Sequence, residues 1–206
     1  MPTSKSKQTS ALDEETARSE LYGLLAILYY APPATELIAQ LRVAATVAPT
    51  AGAFLEEPWR ALVGVTRGMT EVAIQNEYNA LFGGIGKPEV YLYGSHFLSG
   101  FLNEKPLAKL RTELDQLGLT REDTMSETED HFAYLCEVMR YLIAADEVEV
   151  ANLTRQHAFF STYMQPWVIM MCDDIQQHPN AQFYAALAGL TRAFMGVEAQ
   201  GFDMLT

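Results

Sequence analysis

The spacing of apolar residues constrains the fold of this chain more than any other feature. In residues 12–30, for example, Leu21, Leu24, Leu25 and Leu28 recur at helical spacing. Such a repeat places apolar side chains on one face of an α-helix. No segment shows the sustained alternation of apolar and polar residues that indicates a half-buried strand. The pattern therefore predicts an all-α protein.

Prolines, glycines and capping residues divide these apolar repeats into roughly nine to ten helices. Pro32–Pro33 ends the first repeat, Thr70 is a candidate N-cap, and Gly118 is a candidate C-terminal stop. Because there is no internal repeat and no long linker, residues 11–206 are predicted to form a single-domain helical bundle. The polar residues 1–10 are predicted to be a disordered N-terminal tail.

The charge balance bears on possible partners. The chain has 26 Asp and Glu residues against 14 Lys and Arg residues, and its formal net charge is −12. A negative field repels nucleic acid and anionic membranes and attracts basic partners, although acidity also serves solubility alone. No apolar run reaches the roughly 18 residues of a spanning helix, and the first residues do not resemble a secretory signal. We therefore expect a cytoplasmic protein with no nucleic-acid partner and no membrane insertion.

The usual patterns of catalytic and metal sites are missing from the sequence. No histidine follows an acid at the Glu-x-x-His spacing of di-iron bundles, and no Cys/His cluster has zinc spacing. Gly86 and Lys87 are followed by proline, where a phosphate-binding loop requires Ser or Thr. Cys136 and Cys172 lie in apolar helical patterns, which indicates buried structural thiols. The sequence therefore gives little support to enzyme activity, and we expect no metal and no resident cofactor.

The segment MSETEDHFAYLCEVMRYL, residues 125–142, contains more acids than a helix start requires. Ser126 and Glu129 have the spacing of a capping box, which predicts that a helix begins here. On that helix the apolar residues form a core face: Phe132, Leu135, Cys136, Met139 and Ile143. Acids and tyrosines form the opposite face: Glu127, Asp130, Tyr134, Glu137 and Tyr141. Carboxylates and aromatic rings both bind guanidinium groups, so this face is either a solvated surface or a cation site.

This segment resembles the E-x-x-D-H signature of the TorD/DmsD/NarJ-type chaperones, which mature molybdenum-containing redox enzymes. Residues 76–95, NEYNALFGGIGKPEVYLYGS, resemble the family's E-Y-x-x-L-F-x-G…P…Y-x-S stretch. Residues 156–167, QHAFFSTYMQPW, resemble its later F-x-x-H-x-x-P-W block, except that Tyr163 stands where the family has histidine. The final helix, AQFYAALAGLTRAFM, is also similar. These motifs follow the family order over most of the chain.

The resemblance implies an all-helical, TorD-like cytoplasmic chaperone and not an enzyme. The implied partner is the precursor of a molybdopterin oxidoreductase catalytic subunit, bound through its twin-arginine signal peptide, as the apoenzyme, or both. Binding would aid cofactor insertion and prevent premature export. In the family, client binding is associated with the Asp–His pair and with the proline/tyrosine loop. The implied peptide-binding residues are Asp130, His131, Glu127, Pro88, Tyr93 and Ser95, and the acid–tyrosine face adds Tyr134.

Two other functions stay open on the sequence alone. The first is a small helical enzyme that uses His131 with Glu127, since the two lie at i and i+4 on one face of the predicted helix. The second is a helical regulatory module with no peptide groove. The sequence is compatible with a monomer or with a domain-swapped dimer, and it does not identify the client enzyme.

Overall fold

The computed structural model of the protein describes residues 4–47, 54–83, 87–102, 105–122, 125–145 and 151–204. Within these ranges the regular structure consists of ten helices and one isolated β-bridge. The predicted all-α class is therefore confirmed, and the number of helices lies in the predicted range. The helices are α1 (Ser4–Tyr30), α2 (Thr35–Val43), α3 (Glu56–Gly68), α4 (Glu71–Leu81), α5 (Gly94–Ser99), α6 (Lys105–Gln116), α7 (Phe132–Ala144), α8 (Leu153–Tyr163), α9 (Val168–Gln177) and α10 (Phe183–Asp203).

Helix boundaries agree with the sequence signals at some ends and differ at others. The Thr70 side chain accepts a hydrogen bond from Ala73 N at 3.1 Å, so it caps α4 as predicted. After α6, Gly118 has a φ of 70°, the left-handed conformation that commonly ends a helix. The first helix begins at Ser4, earlier than the apolar repeat indicated, and so extends through residues expected to form a tail. Residues 1–3 lie outside the described ranges.

Helices α1 and α7 form the most extensive helix pair in the described part of the chain. Tyr22 and Tyr29 of α1 are fully buried, and the rings of Tyr29 and Phe132 form a T-shaped pair with the centroids 5.0 Å apart. The predicted core face of α7 is confirmed, because all of its members are buried: Phe132, Leu135, Cys136, Met139 and Ile143. Cys136 and Cys172 are free buried thiols, which agrees with the prediction.

The two longest helices of the described chain are α1 and α10. α1 has 27 residues and α10 has 21 residues. Buried side chains of α10 extend from Phe183 to Phe202, and the helix packs against α9 and α3. Across the described ranges, no helix combines the length and the apolar character that crossing a membrane demands.

An ion pair between the part-buried Arg18 and the buried Glu198 joins α1 to α10. Arg18 Nε and Nη2 donate to the two carboxylate oxygens of Glu198 at 2.7 and 2.8 Å. The Tyr22 hydroxyl also donates to Glu198, at 2.9 Å, and Arg18 Nη1 donates to the side-chain oxygen of Gln156 in α8 at 3.0 Å. Because these polar groups satisfy one another where three helices meet, they fix how α1, α8 and α10 pack.

The first turn of α10 is anchored by a carboxylate from another helix. Glu77 of α4 is 7% exposed, and its oxygens accept hydrogen bonds from the backbone N–H groups of residues 182, 183 and 184 at 2.8, 3.1 and 2.8 Å. The first N–H groups of a helix have no partner inside that helix, and the helix dipole favours a negative charge beside them. Glu77 therefore fastens α4 to α10, which gives the acid of NEYNALF a structural role.

Removing this carboxylate should destabilise the bundle. We expect Glu77→Ala to lower the free energy of unfolding by about 3 kcal/mol, because the N–H groups at the start of α10 lose a charged acceptor. Urea unfolding followed by circular dichroism measures this change. The matched control is Glu20→Ala, at an exposed glutamate of α1, which we expect to change the free energy by less than about 0.5 kcal/mol. Equal losses in the two variants would contradict the capping role.

Candidate functional site

Two segments that are distant in the sequence meet at the isolated antiparallel bridge between Tyr93 and His131. Backbone hydrogen bonds of 3.0 and 2.8 Å flank this pair, from Gly94 N to Asp130 O and from Phe132 N to Leu92 O. The bridge holds the loop after α4 against the residues that precede α7. It therefore brings together two motifs that the sequence analysis had assigned to one site.

The segment before α7 is not helical, because α7 begins at Phe132. The predicted capping box of Ser126 and Glu129 is therefore wrong. The Glu129 carboxylate accepts hydrogen bonds of 3.0 and 2.9 Å from Arg111 of α6, and it lies 4.0 Å from Arg121. Burial alone would raise the pKa of Glu129, but the hydrogen bond and charge of Arg111 outweigh burial and lower it. A bidentate charged partner thus replaces the local cap.

Asp130 lies next to the bridge, and its side chain has a structural role. It is 3% exposed, its Oδ2 accepts a hydrogen bond from Ser95 N at 2.8 Å, and its Oδ1 accepts one from the Thr128 hydroxyl at 2.6 Å. The carboxylate caps the first turn of α5 from another segment of the chain. The prediction that Asp130 lies on a helix face opposite the core is wrong, since the helix begins after it.

His131 is the N-cap of α7, and its Nδ1 accepts a hydrogen bond from Ala133 N at 3.2 Å. The residue is 3% exposed, and its ring packs edge-on against Tyr93 with the centroids 5.0 Å apart. Burial lowers the pKa of His131 to about 4, although the charges of Glu127 and Asp130 act in the opposite direction. The imidazole is therefore neutral near pH 7.

Glu127 lines a cavity of about 250 Å³ between the loop after α4 and the residues before α7, which we call the Glu127 cavity. Its Oε2 accepts a hydrogen bond from the Tyr93 hydroxyl, and its Oε1 accepts one from the Ser126 hydroxyl at 3.0 Å. Burial, reinforced by Glu127, raises the pKa of Tyr93 and raises that of Tyr78 to about 12. Both phenols are therefore neutral at pH 7. The rest of the lining includes Phe82, Pro88, Val90, Tyr91, Leu92, Leu102 and His131.

Gly94 allows the loop to approach the core closely. A Cβ at this position would lie 3.1 Å from Nε1 of Trp167, a fully buried side chain. That indole N–H donates to the backbone oxygen of Tyr163 at 2.6 Å. Any residue at 163 provides this carbonyl, so the departure from the family's histidine leaves the contact intact.

A larger apolar groove of about 420 Å³ lies beside the Glu127 cavity, between α1, α7 and the segment after α6. The ring of Tyr134 connects the two features, because it contacts Tyr30 in the groove and His131 in the cavity at centroid distances of 5.6 and 5.8 Å. The groove includes the charged residues Arg121, Glu129 and Glu137. Its apolar lining includes Ala26, Ile27, Leu114, Leu119, Ala133 and Val138.

The structure distributes the predicted peptide-binding residues over three places. The residues that line the Glu127 cavity are Pro88, Tyr93, Glu127 and His131. The residues that are buried behind it are Asp130 and Ser95. Tyr134 lines the apolar groove, together with Glu137 and Tyr141 from the same predicted face.

The sequence analysis missed the contribution of α1 to this surface. Ile27 is 55% exposed and Tyr30 is 42% exposed, and both line the apolar groove. Both residues lie off the buried stripe of α1. This position was the sequence signal that could have revealed them, since an apolar residue on the polar side of a helix indicates a second surface for packing or binding. The partner was not predictable, because α1 and α7 are far apart in the chain.

The arrangement is suited to binding and offers little for catalysis. The acceptor nitrogen of His131 is occupied by its own helix, and both oxygens of Asp130 are hydrogen-bonded. His131 and Glu127 do not share a helix face, because both precede α7. In the part of the chain that the structure describes, no group of three or more His, Cys, Asp or Glu side chains could hold a metal ion.

Comparisons with known proteins point to one family. The family described as nitrate reductase delta subunit matches residues 49–173. Proteins named chaperone protein TorD from strains of Vibrio cholerae serotype O1 are 29% identical to this chain over 112 residues. That region is 52% of this chain and 51% of those proteins, so the chain spans about half the length of the curated relatives it matches.

A solved structure supports the fold independently of close sequence similarity. It is the crystal structure of a candidate redox enzyme maturation protein from Archaeoglobus fulgidus, with a TM-score of 0.55 and 17% sequence identity. The similarity covers 87% of this chain and 92% of that chain. At this level of identity the likeness extends to the fold alone.

The buried imidazole should make stability depend on pH. The pKa of His131 falls from its ordinary 6.5 to about 4 in the folded chain, so the unfolded chain takes up a proton first as the pH drops. The stabilisation is complete above pH 6.5 and is lost as the pH falls towards 4. His131→Asn keeps an N-cap acceptor but does not titrate.

We therefore expect the unfolding free energy of His131→Asn to fall less steeply than that of the wild type over this pH range. Urea unfolding at a series of pH values measures both slopes, and other groups that titrate contribute equally to the two proteins. Parallel pH profiles for the two proteins would show that His131 does not make this contribution.

Proposed function

We propose that this chain, which belongs to the nitrate reductase delta subunit family, is a cytoplasmic chaperone for the maturation of a redox enzyme. Its client would be the precursor of a molybdopterin oxidoreductase catalytic subunit, recognised through the twin-arginine signal peptide. The observation that carries this proposal is the position of the acidic, aromatic Glu127 cavity directly beside an apolar groove.

The two features match the two parts of such a signal peptide. A twin-arginine signal carries an arginine pair followed by an apolar run. Arginine pairs well with a carboxylate and stacks on aromatic rings, which the cavity offers through Glu127, Tyr78 and Tyr93. The apolar run needs a surface from which water can be displaced, which the groove between α1 and α7 offers.

The proposed role of binding follows from the chemistry of export. A bound signal peptide is hidden from the export machinery, so the precursor stays in the cytoplasm while its molybdopterin cofactor is inserted. The net charge of −12 favours association with a basic segment and disfavours association with nucleic acid. The cofactor in this scheme belongs to the client, and the chaperone itself needs none.

The structure gives the alternative functions less support. An enzyme that uses His131 and Glu127 would need an accessible base, but His131 is buried and its Nδ1 is occupied. A regulatory module without a peptide groove is disfavoured by the apolar groove itself. The relatives that carry a functional name are also named as chaperones.

The decisive experiment is a calorimetric titration of the full chain with twin-arginine signal peptides of molybdoenzymes from the same genome. We expect at least one peptide to bind, and replacement of both of its arginines by glutamine to weaken binding by about tenfold or more, since the charge-assisted contact of the arginine pair with the carboxylate is lost. Absence of binding across the panel, or equal affinity for the double glutamine peptide, would overturn the proposal.

The apolar groove can be tested with a matched pair of surface variants. Ile27 is 55% exposed and lines the groove, whereas Val72 of α4 is 63% exposed and lies outside it. We expect Ile27→Asp to weaken peptide binding by about tenfold or more, because a charge then opposes the apolar run. Val72→Asp should bind as the wild type does. Equal affinities of the two variants would remove the groove from the binding site, and unfolding curves check that both variants are folded.

A further inference from the structure

The three acids before α7, Glu127, Glu129 and Asp130, differ in the partners that their carboxylates have. Glu129 is neutralised by Arg111 and lies near Arg121. Asp130 is buried, and both of its oxygens accept hydrogen bonds. Glu127 is held only by hydroxyl groups, and among the described residues no lysine or arginine pairs with its carboxylate. One carboxylate of the motif is thus available for a cation from outside.

The Glu127 carboxylate is held in a fixed position before any ligand arrives. The Tyr93 hydroxyl donates to one oxygen and the Ser126 hydroxyl donates to the other. Arg121 fixes the backbone as well, since its Nη1 donates to the carbonyl oxygens of Met125 and Glu127 at 3.0 and 3.1 Å. A carboxylate oxygen accepts more than one hydrogen bond, so these contacts leave capacity for a guanidinium.

The cavity has room for one side chain. Its volume of about 250 Å³ is below the roughly 300–1,000 Å³ of pockets that enclose a drug-sized ligand. Its aromatic walls, Tyr78 and Tyr93, favour a planar cation that can stack on a ring. A second guanidinium would find no second uncommitted carboxylate of the motif, because Glu129 and Asp130 are both occupied.

We propose that the Glu127 cavity binds one guanidinium, so that the two arginines of the client's signal peptide contribute unequally to the binding affinity. This inference rests on the proposed function and refines it. One arginine enters the cavity and pairs with Glu127, with Tyr93 and Ser126 as positioning residues for the carboxylate. The other arginine stays at the surface, where ion pairs contribute little.

A double-mutant cycle tests the inference. The probe is the tightest-binding twin-arginine peptide of the genomic panel, made as the parent, as each single Arg-to-Gln variant, and as the double variant. Each is titrated calorimetrically against the wild-type chain and against Glu127→Gln. The matched control is Glu36→Gln, which removes the same charge from an exposed position of α2 outside both the cavity and the groove.

We expect one single Arg-to-Gln peptide to lose about 10- to 100-fold in affinity for the wild-type chain and the other to lose less than about fivefold. Glu127→Gln should lose about 10- to 100-fold with the parent peptide, and it should lose nothing further when the sensitive arginine is replaced. Glu36→Gln should repeat the wild-type pattern. The parent peptide with lysine in place of the sensitive arginine should also bind the wild-type chain more weakly than the parent itself, because an ammonium cannot stack as a planar group.

Equal losses for the two arginines, or equal coupling of both to Glu127, would overturn the inference while leaving the proposed function intact. The same holds if neither arginine couples to Glu127. If no peptide binds, or if the double glutamine peptide binds as tightly as the parent, the proposed function fails as well. The peptide variants leave the protein unchanged, so the inequality is measurable even if Glu127→Gln were to unfold.

Discussion

The burial of the Asp130 carboxylate is the constraint on which the candidate site depends. A buried charge is tolerated only where hydrogen-bond donors surround it, and Asp130 finds them in Ser95 N and the Thr128 hydroxyl. To provide the first donor, the loop after α4 must lie against the start of α7. That contact creates the bridge from Tyr93 to His131 and both walls of the Glu127 cavity.

Neighbouring residues of the segment that carries the E-x-x-D-H motif therefore have different structural roles. Asp130 caps α5, His131 caps α7, and Glu129 is tied to α6 through Arg111. Each of these side chains fixes a different element around the same loop, so the loss of any one is expected to move the walls of the cavity. If the proposed function holds, a substitution at Asp130 would affect client binding by displacing the cavity walls, whereas a substitution at Glu127 would remove a direct contact.

The sequence predicted the features that depend on neighbouring residues. It did not predict the features that depend on a contact with a residue far away in the chain. Periodicity predicted the helices and the core face of α7, and the ordered motifs predicted the family, which the match to residues 49–173 confirms. The capping box failed because Arg111 competes for Glu129 with a bidentate ion pair, and no local pattern reveals that partner. The apolar groove was likewise out of reach, because it combines residues of α1 with residues of α7.

Because His131 is neutral, the Glu127 cavity keeps a negative charge. If the imidazole were charged at pH 7, it would compensate Glu127 from within the cavity, and an incoming cation would gain little. Burial prevents this by lowering the pKa of His131 to about 4. The remaining charge is local, in contrast to the net charge of −12, whose field is screened beyond about 8 to 10 Å at physiological salt. Under the proposed function, long-range attraction and recognition are therefore separate steps: the net charge would attract basic segments, and the single carboxylate in the cavity would distinguish among them only on contact.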